Sequence, residues 1–182
     1  MINRIGYTGS PGSWVGKNQY EVYKSDTIIN NQELLIEHLL EFHHNTEYRT
    51  SNFDTYNIFT EWTTDTMYDL FTNVKDVVRT HLPKGRLWLQ AWVNVHKQNE
   101  CLDWHHHHFP FHGYISIDPK NTTTEFAKWK VKNSVGNIYF GHGGKANEHK
   151  VTVNEPYDDY RITIGFDVQS VATQGRNKFI PI

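Results

Sequence analysis

The stretch Asp103-Trp104-His105-His106-His107-His108-Phe109-Pro110-Phe111-His112-Gly113 decides how the rest of the chain is read. Four adjacent histidines at a chain end would pass for a purification tag. This run is internal, flanked by Trp104 and Phe109-Pro110, and leads at once into the strand-like Tyr114-Ile115-Ser116-Ile117. It belongs to the fold. On a strand alternate side chains share a face, so His105 and His107 would point one way and His106 and His108 the other. Either pair offers two imidazoles to one metal, with a third ligand to come from a distant strand. Asp103 shares a strand face with His105 and is a further candidate.

Around this stretch the texture is that of short strands. The runs Leu87–His96, Gly113–Asp118, Thr124–Val131, Asn137–Phe140, Lys150–Val153, Arg161–Val168 and Lys178–Ile182 are separated by turn signals such as Asp118-Pro119-Lys120-Asn121 and Asn154-Glu155-Pro156. Strands at this spacing, with no helical pattern between them, argue an antiparallel sandwich or barrel. Upstream the pattern differs. A Gly/Ser/Pro-rich lead-in over residues 6–18 precedes a short strand within Tyr20–Ile29, with a turn at Lys24-Ser25-Asp26. Asn30 or Asn31 caps a helix carrying Leu35, Leu39 and Phe42 at helical spacing, and Glu47–Phe59 reads as loop. A second helix carries Met67, Leu70, Phe71, Val74, Val77 and Val78 behind a Thr cap at 63 or 64, and Pro83-Lys84-Gly85 ends it. The expected fold is α+β and mainly β: a jelly roll with N-terminal helices packed on one sheet. Residues 1–182 would form a single domain, with 1–85 as a layer of helices and strand and 86–182 as the β core that carries the candidate site.

Neutral imidazole is the commonest protein ligand for first-row metals. Two imidazoles from one strand and a third from a neighbour can occupy one face of an octahedral ion and leave the opposite face open. His149, which opens Lys150-Val151-Thr152-Val153 after a Gly-rich hairpin, is the best third ligand. Further on, Arg161, Thr163 and Gly165 share one face of an alternating strand, with Ile162, Ile164 and Phe166 on the other. A guanidinium and a hydroxyl two residues on can together hold a carboxylate.

At these residues the chain resembles the 2-oxoglutarate/Fe(II)-dependent oxygenases, whose core is a double-stranded β-helix of the cupin-like kind. That family shows His-x-Asp/Glu, a distal His and then an Arg; here the matching positions are His105-x-His107, His149 and Arg161. Trp92-Val-Asn94, Trp104-His105-His106-His107 and His112-Gly113-Tyr114 are also similar to small phage and marine-bacterial members, some with His-x-His at this point. The resemblance covers roughly Arg86 to Val168. It implies Fe(II) on His105, His107 and His149, and 2-oxoglutarate with its far carboxylate on Arg161 and Thr163. Tyr114, Tyr139 and Ser116 are its candidates for the co-substrate pocket or the surrounding hydrogen bonds. It implies O2 as oxidant, ascorbate as maintenance reductant, and release of succinate and CO2 as a small molecule or a protein side chain is hydroxylated. The departure is the carboxylate, absent from the position two after His105.

Composition sets the remaining bounds. The chain has 182 residues, 37% of them apolar, enough to bury a sizeable core. A formal net charge of −2 gives no electrostatic case for non-specific nucleic-acid binding. Cys101 is the lone cysteine, which excludes an intramolecular disulfide and suits a reducing cytoplasm, the host's if the protein is phage-encoded. The N-terminus lacks the apolar core of a signal peptide and no run reaches spanning length, so no membrane is expected. Two other function classes fit the same residues. One is a cupin-like three-His metalloprotein acting without 2-oxoglutarate, and the other is a non-catalytic jelly-roll binding or structural module.

Overall fold

Strict apolar alternation on the two central strands sets the layering. In the computed structural model, which describes residues 1–7, 20–45, 50–171 and 178–182, β1 (Ile2–Tyr7) and β2 (Tyr20–Ser25) come first. They are followed by α1 (Asp26–Asn30), α2 (Gln32–His44), α3 (Ile58–Glu61) and α4 (Asp65–His81). Then come β3 (Trp88–His96), β4 (Phe111–Asp118), β5 (Thr122–Phe126), β6 (Lys130–Lys132), β7 (Asn137–His142), β8 (His149–Val153), β9 (Arg161–Gln169) and β10 (Ile180–Pro181). Two antiparallel sheets result, one ordered β1-β2-β7-β4-β9-β3-β10 and a smaller one ordered β6-β5-β8. The fold is a double-stranded β-helix with a helical layer against the larger sheet.

On β9 the residues Ile162, Ile164, Phe166 and Val168 face the helices, and on β3 Leu89, Ala91, Val93 and Val95 do the same. Leu35 and Leu39 of α2 and Leu70, Val74, Val77 and Val78 of α4 meet them in one fully buried core. The opposite faces of β3, β4 and β9 carry Trp92, Asn94, His112, Tyr114, Arg161, Thr163 and Asp167, and these look toward the small sheet. One side of the large sheet is thus stability and the other side is site. Helix α4 is capped by Thr64, whose hydroxyl accepts from Met67 N at 3.2 Å.

Several sequence expectations need correction. The segment Tyr20–Ile29 is a strand only to Ser25, whose hydroxyl accepts the Ile28 N–H and starts α1. Thr124–Val131 is two strands. Trp129 O accepts from Phe126 N at 2.8 Å, and the tight return places Phe126 and Val131 in one cluster with Tyr139, a burial that a straight strand would forfeit. β2 falls within the strand expected there, and together with β1 it extends the large sheet past β7. Within Glu47–Phe59 the described part holds a 3-10 turn at Thr50–Asn52 and the first residues of α3, which is capped by the Asn57 side chain. Most of the Gly/Ser/Pro-rich lead-in lies outside the described residues.

Candidate metal centre and anion pocket

Between the two sheets lies a cavity of about 510 Å³. His105 and His149 meet at its wall through an isolated antiparallel bridge, His105 N to His149 O and His149 N to His105 O, both 2.9 Å. The tetrahistidine run does not continue as a strand past that bridge. His107 O instead accepts from Gly144 N and Pro110 O from Gly143 N, so the run is clamped to the connection between β7 and β8, which crosses from one sheet to the other and is not the hairpin expected from sequence. Proline at 110 has no N–H to give a ladder, which is why regular pairing resumes only at Phe111. The alternation expected of a strand is nevertheless the observed outcome. His105, His107 and His149 each bring one ring nitrogen within 4.8 Å of the others, while His106 and His108 pack on one another with ring centres 5.0 Å apart. Asp103 is exposed and accepts from Trp104 N at 2.8 Å, a local turn contact outside the cluster.

Each of the three rings has its Nδ1 engaged. His105 Nδ1 lies 2.7 Å from Asp103 O, His149 Nδ1 3.0 Å from Asn147 O, and His107 Nδ1 2.7 Å from Asp167 Oδ1. A carbonyl or carboxylate can only accept, so every Nδ1 carries the proton and every Nε2 keeps a lone pair for an ion. Burial pushes the His149 imidazole down to about 3, with His105 adding to the effect, and lowers His105 for the same reason. Neutral rings at neutral pH are what metal ligation requires. This donor set fits a first-row divalent ion. His112 sits behind it, fully buried, its ring stacked 4.5 Å from His107 and 4.9 Å from His149. Its Nε2 has no hydrogen-bond partner among the described residues.

Arg161 opens β9 on the same cavity face, 4% exposed. Its Nε donates to Thr122 Oγ1 at 3.4 Å, and no ion pair joins it to a carboxylate among the described residues. Burial lowers its affinity for its own proton. A desolvated cation without an anion costs several kcal/mol, a cost that a negatively charged guest would offset. Thr163, two residues on, shows its hydroxyl to the same cavity and is 3.5 Å from Asn94 Nδ2. Tyr114 also lines the cavity, its hydroxyl donating to Asn133 Oδ1 at 3.0 Å, and burial raises its pKa. Tyr139 does not line it. Its ring stacks on Tyr114 at 5.0 Å and 11°, one layer back, beside Phe126. Ser116 lies on the same strand face as Tyr114 but is wholly buried and outside the cavity wall.

Apolar and aromatic groups complete the wall. Trp92 lies over Gly165, where a Cβ would come within 2.8 Å of the indole, so glycine is what lets this ring enter the site. Phe53 leans on Trp92 with ring centres 5.4 Å apart, and Leu102, Phe109 and Val151 flank the cavity. Two participants escaped the sequence reading. Asp167 is the next residue on the Arg161/Thr163/Gly165 face, so strand alternation alone could have found it. Phe53 comes from a segment with no periodicity, and nothing local signals its destination.

No protein-family model matches the chain, and no curated protein matches it. Among solved structures it is similar to the non-heme alpha ketoglutarate dependent epimerase SnoN from nogalamycin biosynthesis, at 13% identity and a TM-score of 0.53, covering 83% of this chain and 76% of that one. A second structure of SnoN, in complex with Fe3+, alpha ketoglutarate and nogalamycin RO, matches at 12% identity and a TM-score of 0.54 over 83% and 78% of the two chains. At that identity the likeness is one of fold.

Proposed function

We propose that this protein is an Fe(II)- and 2-oxoglutarate-dependent oxygenase that hydroxylates a small molecule or a protein side chain and releases succinate and CO2. One observation carries the reading. A single cavity holds three imidazoles with free Nε2 atoms and a buried guanidinium that lacks a carboxylate partner among the described residues. The similarity in fold to an enzyme solved with iron and alpha ketoglutarate supports it.

His105, His107 and His149 would hold the iron by their Nε2 atoms, each oriented through its Nδ1 proton. Bound iron supplies a redox centre at which O2 is reduced with electrons from both the keto acid and the substrate C–H bond. Arg161 and Thr163 bind the far carboxylate of 2-oxoglutarate, with Tyr114 beside them and Tyr139 stacked behind it. Trp92, Phe53, Leu102 and Val151 exclude water and give the second substrate an apolar wall. Ascorbate keeps the iron ferrous, and a reducing cytoplasm suits both that state and the free thiol of Cys101.

The test is incubation of metal-free protein, purified without a nickel column, with Fe(II), 2-oxoglutarate, ascorbate and O2. Succinate formed in step with O2 uptake, and abolished in the His149→Ala variant, supports the assignment. Iron retained without succinate would instead favour a cupin-like enzyme acting without 2-oxoglutarate. Failure to retain any metal would leave a jelly-roll binding or structural module. With a substrate in hand, a product heavier by one oxygen identifies hydroxylation, and unchanged mass identifies epimerisation.

A further inference from the structure

The His-x-His pair leaves three neutral ligands around a doubly charged ion. A His-x-Asp/Glu pair would put one negative charge in contact with it. Among the described residues Asp167 is the sole carboxylate lining the cavity. It is 4% exposed, and its Oδ1 lies 2.7 Å from Nδ1 of His107, the second histidine of the pair and the residue that occupies the carboxylate's usual place. No lysine or arginine pairs with it among the described residues; its ion-pair partner is His107. A buried carboxylate is costly unless positive charge comes to it, and a cation bound at His107 Nε2 is the charge available.

The strand that carries Asp167 explains why the charge is free for this use. Arg161 and Asp167 share one face of β9 but stand six residues apart, roughly 20 Å at about 3.4 Å per residue. The cavity therefore has a cationic end and an anionic end, and the two do not neutralise one another. Asp167 pairs in register with His112 on β4 and with Gln90 on β3, so its position is set by the sheet.

We propose that Asp167 is a positioning residue that delivers, through the Nδ1–H of His107, the negative charge missing from the first ring of metal ligands. It fixes the tautomer of His107 and makes Nε2 a stronger donor. In this protein the carboxylate of the metal site is displaced outward by one imidazole. The inference rests on the metal site proposed above, and the experiment separates the two.

Metal-free protein is titrated with Co(II) against a competing chelator, and the Co(II) visible spectrum is recorded for each variant. Asp167→Asn, which keeps the shape and an acceptor but not the charge, is expected to weaken Co(II) binding 10- to 100-fold. Its metal-free melting temperature should stay near wild type. In a His107→Asp background, where a carboxylate touches the ion directly, the same Asp167→Asn change should cause no loss. Equal loss in both backgrounds, or wild-type affinity in Asp167→Asn, overturns the proposal. Should His107→Asp hold no Co(II), Asp167→Glu decides: recovery of affinity above the Asn variant supports the charge role, and equal loss overturns it. Wild-type protein that binds no Co(II) overturns the metal site and this inference with it.

Discussion

His105 and His149 are joined by a reciprocal pair of 2.9 Å backbone hydrogen bonds, with their ring centres 4.4 Å apart. Two imidazoles more than forty positions apart in sequence are therefore held together by main chain, before any side chain has to choose a rotamer. The third, His107, is placed by the clamp between its carbonyl and Gly144 N. Three imidazoles held in place in this way would lower the cost of binding an ion.

Loss of one imidazole should consequently remove the ion without unfolding the protein. His149→Ala, His105→Ala and His107→Ala are each expected to retain less than a tenth of the wild-type metal after desalting, measured by elemental analysis. His106→Ala and His108→Ala should retain it in full. Metal loss from the second pair, with retention in the first, would place the centre on the other register.

Arg161→Ala separates co-substrate from metal. The variant should bind metal normally and raise the KM for 2-oxoglutarate by at least 10-fold, with a smaller rise for Arg161→Lys, which keeps charge but loses the planar fork. In thermal melts, 2-oxoglutarate at 100 times its wild-type Kd should stabilise the metal-loaded wild type by about 2.7 kcal/mol, and a variant weakened 10-fold by only about 1.4 kcal/mol. Metal loss from Arg161→Ala counts against the assignment.

Acid should destabilise the metal-free fold. His96 and His149 have folded values lowered to about 4 and about 3 from an ordinary 6.5, first of all by burial. Between those limits the unfolded chain takes up protons that the folded chain refuses, so stability is full above about pH 6.5 and falls as pH drops toward 4. Each group contributes up to about 1.4 kcal/mol per pH unit in that window. Melting temperatures of metal-free protein at pH 7, 6, 5 and 4 test this, and His96→Gln should flatten the curve. A wild-type curve already flat over that range would refute it.

Gly143 packs so tightly that a Cβ there would lie 2.0 Å from Phe109 O. Gly143→Ala must push the β7–β8 connection away from the histidine run, an overpacking cost of about 1–3 kcal/mol. Reduced metal affinity alongside a lowered melting temperature is the expected pairing. Unchanged affinity would mean that this connection does not position His107.

Leu70→Ala, in the helical layer far from the cavity, should cost about 2–5 kcal/mol in denaturant unfolding and leave metal affinity unchanged in the folded fraction. An altered affinity would show that the two faces of the large sheet are coupled.

Much of this arrangement can be read from local pattern. The stripe Met67–Val78 announces a buried helix, and the alternation Arg161 to Phe166 separates a polar face from an apolar one, because side-chain direction follows backbone period. The grouping of His105, His107, His149 and Arg161 around one cavity is likewise anticipated by their placement on strand faces. What the linear chain leaves open is anything decided by a partner distant in sequence. The choice of His105 and His107 over His106 and His108 comes from the bridge to His149, and Asp167 acquires its meaning only by meeting His107 sixty positions away. Phe53 reaches the cavity because Trp92 lies there to receive it, and Tyr139 stays out because Tyr114 stands in front. Periodicity is a property of neighbours along the chain, so sequence alone determines faces. Which faces enclose the same space depends on how strands pair, and that is settled by burial and hydrogen bonding across the whole molecule.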